Sequence, residues 1–250
     1  MLKKLILFSL CFLCLLIGLI FLFRNSGSGN VGNCIRLDGK GGYILIPNED
    51  SKFSNPHFTL EGWFYFEGLP EVSGIASVYS STDDKRVWAL IQKKGSEICF
   101  LTSENGISII QANWNLSIPI KQWVHLGLVC SSGEAILYVN GQGKGSQNAA
   151  EKLFLCNQEL ALGYFNKSSF FEGRMDEIRL WGKALDKVDI KTMMHSAVNG
   201  KENDLFAAYS FDEGHLGTLC DKCGSFDGIH MNLTPESIIK SDAPIKIIMK

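Results

Sequence analysis

Between Cys34 and His230 the chain is a succession of short apolar and aromatic runs, recurring about every 8–12 residues and separated by turn-forming residues. That spacing suits an antiparallel sandwich or barrel and leaves no room for βαβ units. "HFTLEGWFYFEG" is expected to be a strand with Leu60, Phe64 and Phe66 on one face and Trp63 and Tyr65 on the other. "VWALIQKKGSEICFLTS" and "KQWVHLGLVCSSGEAILYVNGQ" each place two runs around a glycine-bearing turn, as hairpins do. "CIRLDGKGGYILIP" gives two shorter extended runs. One helix is expected: Asp186 caps it, "KVDIKTMMHSAV" carries its apolar side, and Asn199-Gly200 stops it. The expected fold is all-β, an antiparallel sandwich with one short C-terminal helix.

The N-terminus obeys other rules. Leu5 to Phe23 holds no charge, and nineteen residues at ~1.5 Å each just span a ~30 Å hydrocarbon core. It ends in bulky "IFLFRN" without a small-residue cleavage pattern. We expect an uncleaved signal anchor over residues 1–30, including its spacer, with a cleaved signal peptide as the alternative. Lys3 and Lys4 before the run and Arg24 after it put the bulk of the chain outside the cytoplasmic membrane, extracellular or periplasmic. Removing those three from the 24 basic residues leaves 21 against 26 acidic ones, a net charge of −5. With no basic block interleaved with aromatics, nucleic acid is not an expected partner.

Six cysteines lie beyond the anchor: Cys34, Cys99, Cys130, Cys156, Cys220 and Cys223. An oxidising compartment favours disulfides among them, while Cys99, Cys130 and Cys156 equally suit small core positions. "CDKC" has no second pair at zinc spacing.

"LDGKGGYILIP", "HFTLEGWFYF", "QWVHLGLVCSSGEAILYVNGQ", "FEGRMDEIRLWGKAL" and "AAYSFDEG" occur in this order and spacing. Together they resemble the laminin-G-like members of the concanavalin A-like lectin/glucanase jelly-roll superfamily. The resemblance assigns residues 31–234 to one such domain and leaves 235–250 as a tail or edge strand. It implies two packed, curved sheets and recognition of glycans or proteins more often than catalysis. It also implies a Ca²⁺ rim site to which Asp38 and Asp176 belong, although Gly41-Gly42 replaces an Asn-Asp expected before Tyr43. The strand of Cys34 is expected beside the one ending in "FDEG", which makes a bridge from Cys34 to Cys220 or Cys223 the expected long disulfide. The alternative is a local Cys220–Cys223 bridge.

Strict strand alternation puts Asp176, Ile178 and Leu180 on one face and Glu177, Arg179 and Trp181 on the other. Adjacent carboxylates on opposite faces cannot flank one glycosidic bond, which requires a separation of ~5–9 Å across one cleft. Asp176 is then a core-side hydrogen-bond acceptor, and Asp176→Asn is expected to damage folding. Glu61 and Glu67 are read as bracketing their strand. No E-x-D-x-E run, His-Glu-x-x-His, Gly-x-Ser-x-Gly or P-loop is present. No enzyme activity is expected. Trp88 and Trp114, near loops and outside the family motifs, are the candidate sugar-stacking residues, with core packing as their other use. The expected function is a membrane-anchored binding module for a glycan or protein; the alternatives are a structural or assembly subunit and a glycoside hydrolase-like enzyme.

Overall fold

The computed structural model describes residues 32–131 and 133–245. The Leu5–Phe23 run lies outside them, and among the described residues no helix is long and apolar enough to cross a membrane. In chain order the strands begin with β1 (Asn33–Asp38), β2 (Tyr43–Ile46), β3 (Phe58–Phe66), β4 (Val72–Ser80), β5 (Lys85–Lys93) and β6 (Glu97–Gly106). Next come β7 (Ile110–Asn115), β8 (Trp123–Ser131), β9 (Glu134–Val139), β10 (Gln142–Asn148), β11 (Leu160–Leu162) and β12 (Tyr164–Phe165). The last six are β13 (Ser169–Phe170), β14 (Glu172–Trp181), β15 (Leu205–Tyr209), β16 (Thr218–Leu219), β17 (Gly228–Met231) and β18 (Ile238–Lys240).

Two antiparallel sheets form the sandwich. The first runs β10-β9-β8-β3-β14-β1-β18, with β15 also pairing with β14. The second runs β16-β17-β2-β11-β4-β5-β6-β7. Thus β1 and β2, four residues apart, lie in different sheets: the glycine turn between them crosses the sandwich rather than closing a hairpin. The tail adds β18 as an edge strand beside β1, with Cys34 opposite Ile239.

Side-chain alternation builds the core. Leu60, Phe64 and Phe66 of β3 point inward and meet Trp88 and Leu90 of β5 and Phe100 of β6. Fully burying each such side chain contributes about 1.5–3 kcal/mol before entropy is counted. The small β12–β13 hairpin lies so close to β4 that a Cβ on Gly74 would come within 2.3 Å of the Tyr164 carbonyl carbon. Only glycine admits that approach.

The helix, α1 (Lys187–Met193), covers the outer face of the first sheet. Asp186 caps it by accepting from the Val188 and Asp189 amides, at 2.7 and 2.8 Å. Ile190 seats it against Val129, Tyr138, Trp181 and Leu185. The helix is shorter than the apolar pattern to Val198 suggests. Its terminal carbonyls are taken by the sheet beneath: Trp63 Nε1 donates to Met194 O at 2.7 Å, and Arg179 donates to Met193 O at 2.8 Å and to Ser196 O. A chain bent down to those donors cannot continue its own i→i−4 ladder.

Two further expectations are corrected. Strict alternation fails in β14, where Glu177 has φ 47° and the register slips between Asp176 and Arg179. Asp176 opposes Trp63 and Arg179 opposes Glu61, so Asp176 shares the outer face with Glu177 and Arg179 rather than the core face of Ile178 and Leu180. A β-bulge supplies the extra residue. The cysteines are also otherwise: all six described ones are free thiols. Cys34 is buried on β1 with its thiol against Lys240 O at 3.9 Å. Cys223 belongs to a loop packed on the α1 cluster. β1 is not paired with β15, as the long bridge required: both pair with β14, at Glu172–Met175 and Ile178–Trp181. Neither expected bridge is present among the described residues. Cys99 and Cys130 are fully buried, as small core residues would be.

Candidate functional site

Beneath α1 lies a sealed polar cluster. Glu61, in the middle of β3 rather than bracketing it, has no exposed surface. It accepts from Trp181 Nε1 at 3.0 Å, pairs with Arg179 Nη1 at 3.4 Å and meets His125 Nε2 at 3.3 Å. Arg179 Nη2 holds Glu177 Oε2 at 2.8 Å, and Lys222 Nζ lies 3.7 Å from its other oxygen. Burial alone would raise the Glu61 pKa; the His125 ring nitrogen 3.3 Å from Oε2 and the charge of Arg179 outweigh it and hold the carboxyl below its usual range. Asp176, at the edge of this layer, accepts from the Glu177 amide at 2.8 Å and from the Ser241 hydroxyl. These carboxyl groups are thus closed off by the helix and the C-terminal segment; Glu61 and Glu177 are paired with Arg179, while Asp176 is met only by an amide and a hydroxyl. They are architecture, though by burial rather than by pointing to opposite faces.

The predicted ligand and metal residues are not brought together. Trp88 and Trp114 are 1% and 3% exposed and belong to the core; their indole N–H groups donate to Phe53 O at 2.8 Å and Gly145 O at 3.0 Å. Neither offers a ring face to a sugar. Asp38 is exposed at the end of β1, where it accepts from the Lys40 amide at 2.9 Å. It stands opposite Glu172, four residues along β14 from Asp176 and therefore ~13 Å away at strand rise. A calcium ion gathers its oxygens within ~2.6 Å, so Asp38 and Asp176 cannot serve one ion.

An open concavity lies elsewhere among the described residues, at the rim where β2 ends and β15 and β17 begin. It is a cleft of about 680 Å³, inside the range of small-ligand sites, with Glu49, Asp50, Lys52, Phe206, Phe226 and Asp227 among its lining. Each wall is fixed by one buried side chain. Asn48 donates to Gln158 O at 2.9 Å and accepts from the Phe53 amide at 3.3 Å, which turns Glu49, Asp50 and Lys52 outward. Across the cleft Asp221 accepts four backbone amides, from Ala208, Cys223, Ser225 and Phe226, at 2.8–3.1 Å. Asp227 in turn accepts from the Asp221 amide at 2.8 Å, and the Tyr209 hydroxyl donates to Phe226 O at 2.6 Å. Phe226 packs on Phe53 with centroids 5.2 Å apart.

The result is a rigid rim carrying three carboxylate acceptors, one ammonium donor and two half-buried phenyl rings. Such a set can take hydroxyl donors on its acid side and lay an apolar ring face on the phenyls. Sequence reasoning missed it because its walls are some 170 residues apart. The only local signals were the turn residues in "PNED" and "GSFDG".

Comparison with known proteins agrees with the fold. No curated protein matches the sequence significantly. Among solved structures, a candidate carbohydrate-binding protein from Bacteroides ovatus superposes with a TM-score of 0.67 at 18% identity, over 86% of this chain and 62% of that one. This chain therefore spans about three-fifths of that protein. Domain 4 of an extracellular arabinanase from Geobacillus stearothermophilus, solved with arabinotriose, gives 0.52 at 20% identity over 66% and 78% of the two chains. A heptameric SAP-like pentraxin from Limulus polyphemus gives 0.51 at 15% identity over 66% and 83%. At these identities the likeness is one of fold. The family profile described as concanavalin A-like lectin/glucanases, of laminin-G type, matches residues 38–191, more than half of the sequence; with the two-sheet sandwich described above, the chain belongs to that family.

Proposed function

We propose that this protein is an anchored glycan-binding module, held outside the cytoplasmic membrane by its Leu5–Phe23 segment and binding sugar hydroxyls in the rim cleft. The observation that carries the reading is the pairing of carboxylate acceptors with phenyl rings in one preorganised concavity. Support from relatives is coarser: the fold is shared with a candidate carbohydrate-binding protein and with an arabinanase domain solved with arabinotriose. Hydrolysis by the carboxylates of the β3–β14 layer is disfavoured, because they are sealed beneath α1.

A glycan array probed with the purified protein, with and without Ca²⁺, is the direct test. Asp50→Asn and Asp227→Asn are each expected to weaken the best glycan about tenfold or more, the worth of a hydrogen bond to a charged acceptor. Asparagine at 227 can still accept from the Asp221 amide, so melting should not change. Loss of binding only in proportion to lost stability would remove the cleft from the proposal. Alkaline carbonate washing should leave the protein in the membrane fraction. A soluble form beginning near residue 27 would sink the anchor.

A further inference from the structure

On the outer face of the first sheet, beyond the end of α1, three half-buried side chains make a second constellation. The Arg174 guanidinium lies 4.3 Å from the centroid of the Tyr65 ring. Trp123 meets the same ring edge-on, with centroids 5.6 Å apart. The chain's own C-terminal segment passes over them. Ser241 bonds Asp176, Pro244 O accepts from His195 at 2.7 Å, and between them Asp242 Oδ1 accepts from Trp123 Nε1 at 2.7 Å.

The guanidinium is poorly served by this arrangement. Its contacts to Glu67 and Asp242 are 3.4 and 3.8 Å, against ~2.7–2.9 Å for a tight charge-assisted bond. Its Nε, buried, has no partner among the described residues. The Asp242 side chain is 73% exposed, so it occupies the position without being locked into it. An arginine fork, an indole N–H and an aromatic plane around one carboxylate are the elements that recognise a carboxylate carried on a ring.

We propose that Tyr65, Trp123 and Arg174 form a binding site for uronate-bearing glycans, and that Asp242 is its internal occupant. A uronate carboxylate takes the place of the Asp242 carboxylate on Trp123 Nε1 and Arg174, and the pyranose ring covers Tyr65 or Trp123. The C-terminal segment then acts as a competitor in cis, weakening the site until ligand displaces it. This site is separate from the rim cleft and stands whether or not the cleft binds sugar.

The test titrates an oligogalacturonate, and a neutral oligogalactose of equal length, into the full-length protein in detergent. Asp242→Asn, which empties the site of its charge, is expected to bind the oligogalacturonate about tenfold more tightly than wild type, as removal of one charge-assisted competitor predicts. Affinity for the neutral oligomer should not change. Adding Arg174→Gln should abolish the gain, and raising salt should diminish it. Equal affinity of wild type and Asp242→Asn for oligogalacturonate, including no binding by either, overturns the proposal. So does a gain that survives Arg174→Gln. Binding of a polyglutamate peptide in place of the uronate would assign the site to protein ligands and overturn it likewise.

Discussion

Urea unfolding of Arg179→Ala is expected to show a loss of about 3–5 kcal/mol, the cost of breaking a buried ion cluster by removing one member. The side chain is 1% exposed and answers two carboxylates, Glu61 and Glu177, as well as the carbonyls of Met193 and Ser196. Its removal strands two buried charges and frees the end of α1 in the same step. Hydrogen exchange across Lys187–Met193 should therefore accelerate more than exchange in β5 or β6. Adding Glu61→Gln and Glu177→Gln should recover part of the loss, since uncharged amides cost less to bury than unpaired carboxylates. A loss below about 1 kcal/mol would mean that water reaches the cluster and that α1 does not seal it.

The second expectation concerns pH. Burial pushes the Asp176 carboxyl up to about 8, reinforced by the nearby charges of Glu177 and Asp212 and only partly opposed by the Ser241 hydroxyl and the Glu177 amide. Cys34, itself pushed up to about 12 by burial and by Asp176, faces it from β1, where Arg174 and Asp242 also act on that thiol. Because the folded value lies above the unfolded one of 3.8, the group's contribution is complete below about pH 4. It is lost progressively as pH rises through about 8. Stability of the wild type relative to Asp176→Asn should thus fall by a few kcal/mol between pH 4 and 9. Asparagine can accept from the Glu177 amide and donate to the Ser241 oxygen, which revises the expectation that this substitution damages folding. Glu61, with its lowered pKa, acts in the opposite sense at acid pH in both proteins and cancels in the comparison. A pH-independent difference would show that Asp176 remains ionised and hydrated.

The two-sheet class, the hairpins around Lys94–Ser96 and Ser131–Gly133, the faces of β3 and the start of α1 were all legible from the residues alone. Each depends on interactions within a few positions: alternation along a strand, a turn residue, an aspartate capping the next two amides. The end of α1 was not legible, because the donors that stop it come from Trp63 and Arg179 on strands distant in sequence. The β14 bulge was equally hidden. A glutamate at φ 47° costs about 1–3 kcal/mol, and the conformation brings its carboxylate to Arg179 at 2.8 Å beneath the helix.

Trp88 and Trp114 show the limit of reading exposure from proximity to loops. Whether an aromatic near a turn faces solvent depends on which sheet its strand joins and what lies across the sandwich, and both were placed inside. Local chemistry determined the elements and their apolar faces. The tertiary fold decided where charge could remain open to solvent: it closed Glu61, Asp176 and Glu177 beneath α1 and the tail. It also brought Glu49 and Asp50 to face Asp227, and Asp242 to Trp123, across 119 to nearly 180 residues of chain. Contacts at such separation leave no periodicity in the sequence, because they are fixed by the packing of two sheets and not by the geometry of either strand.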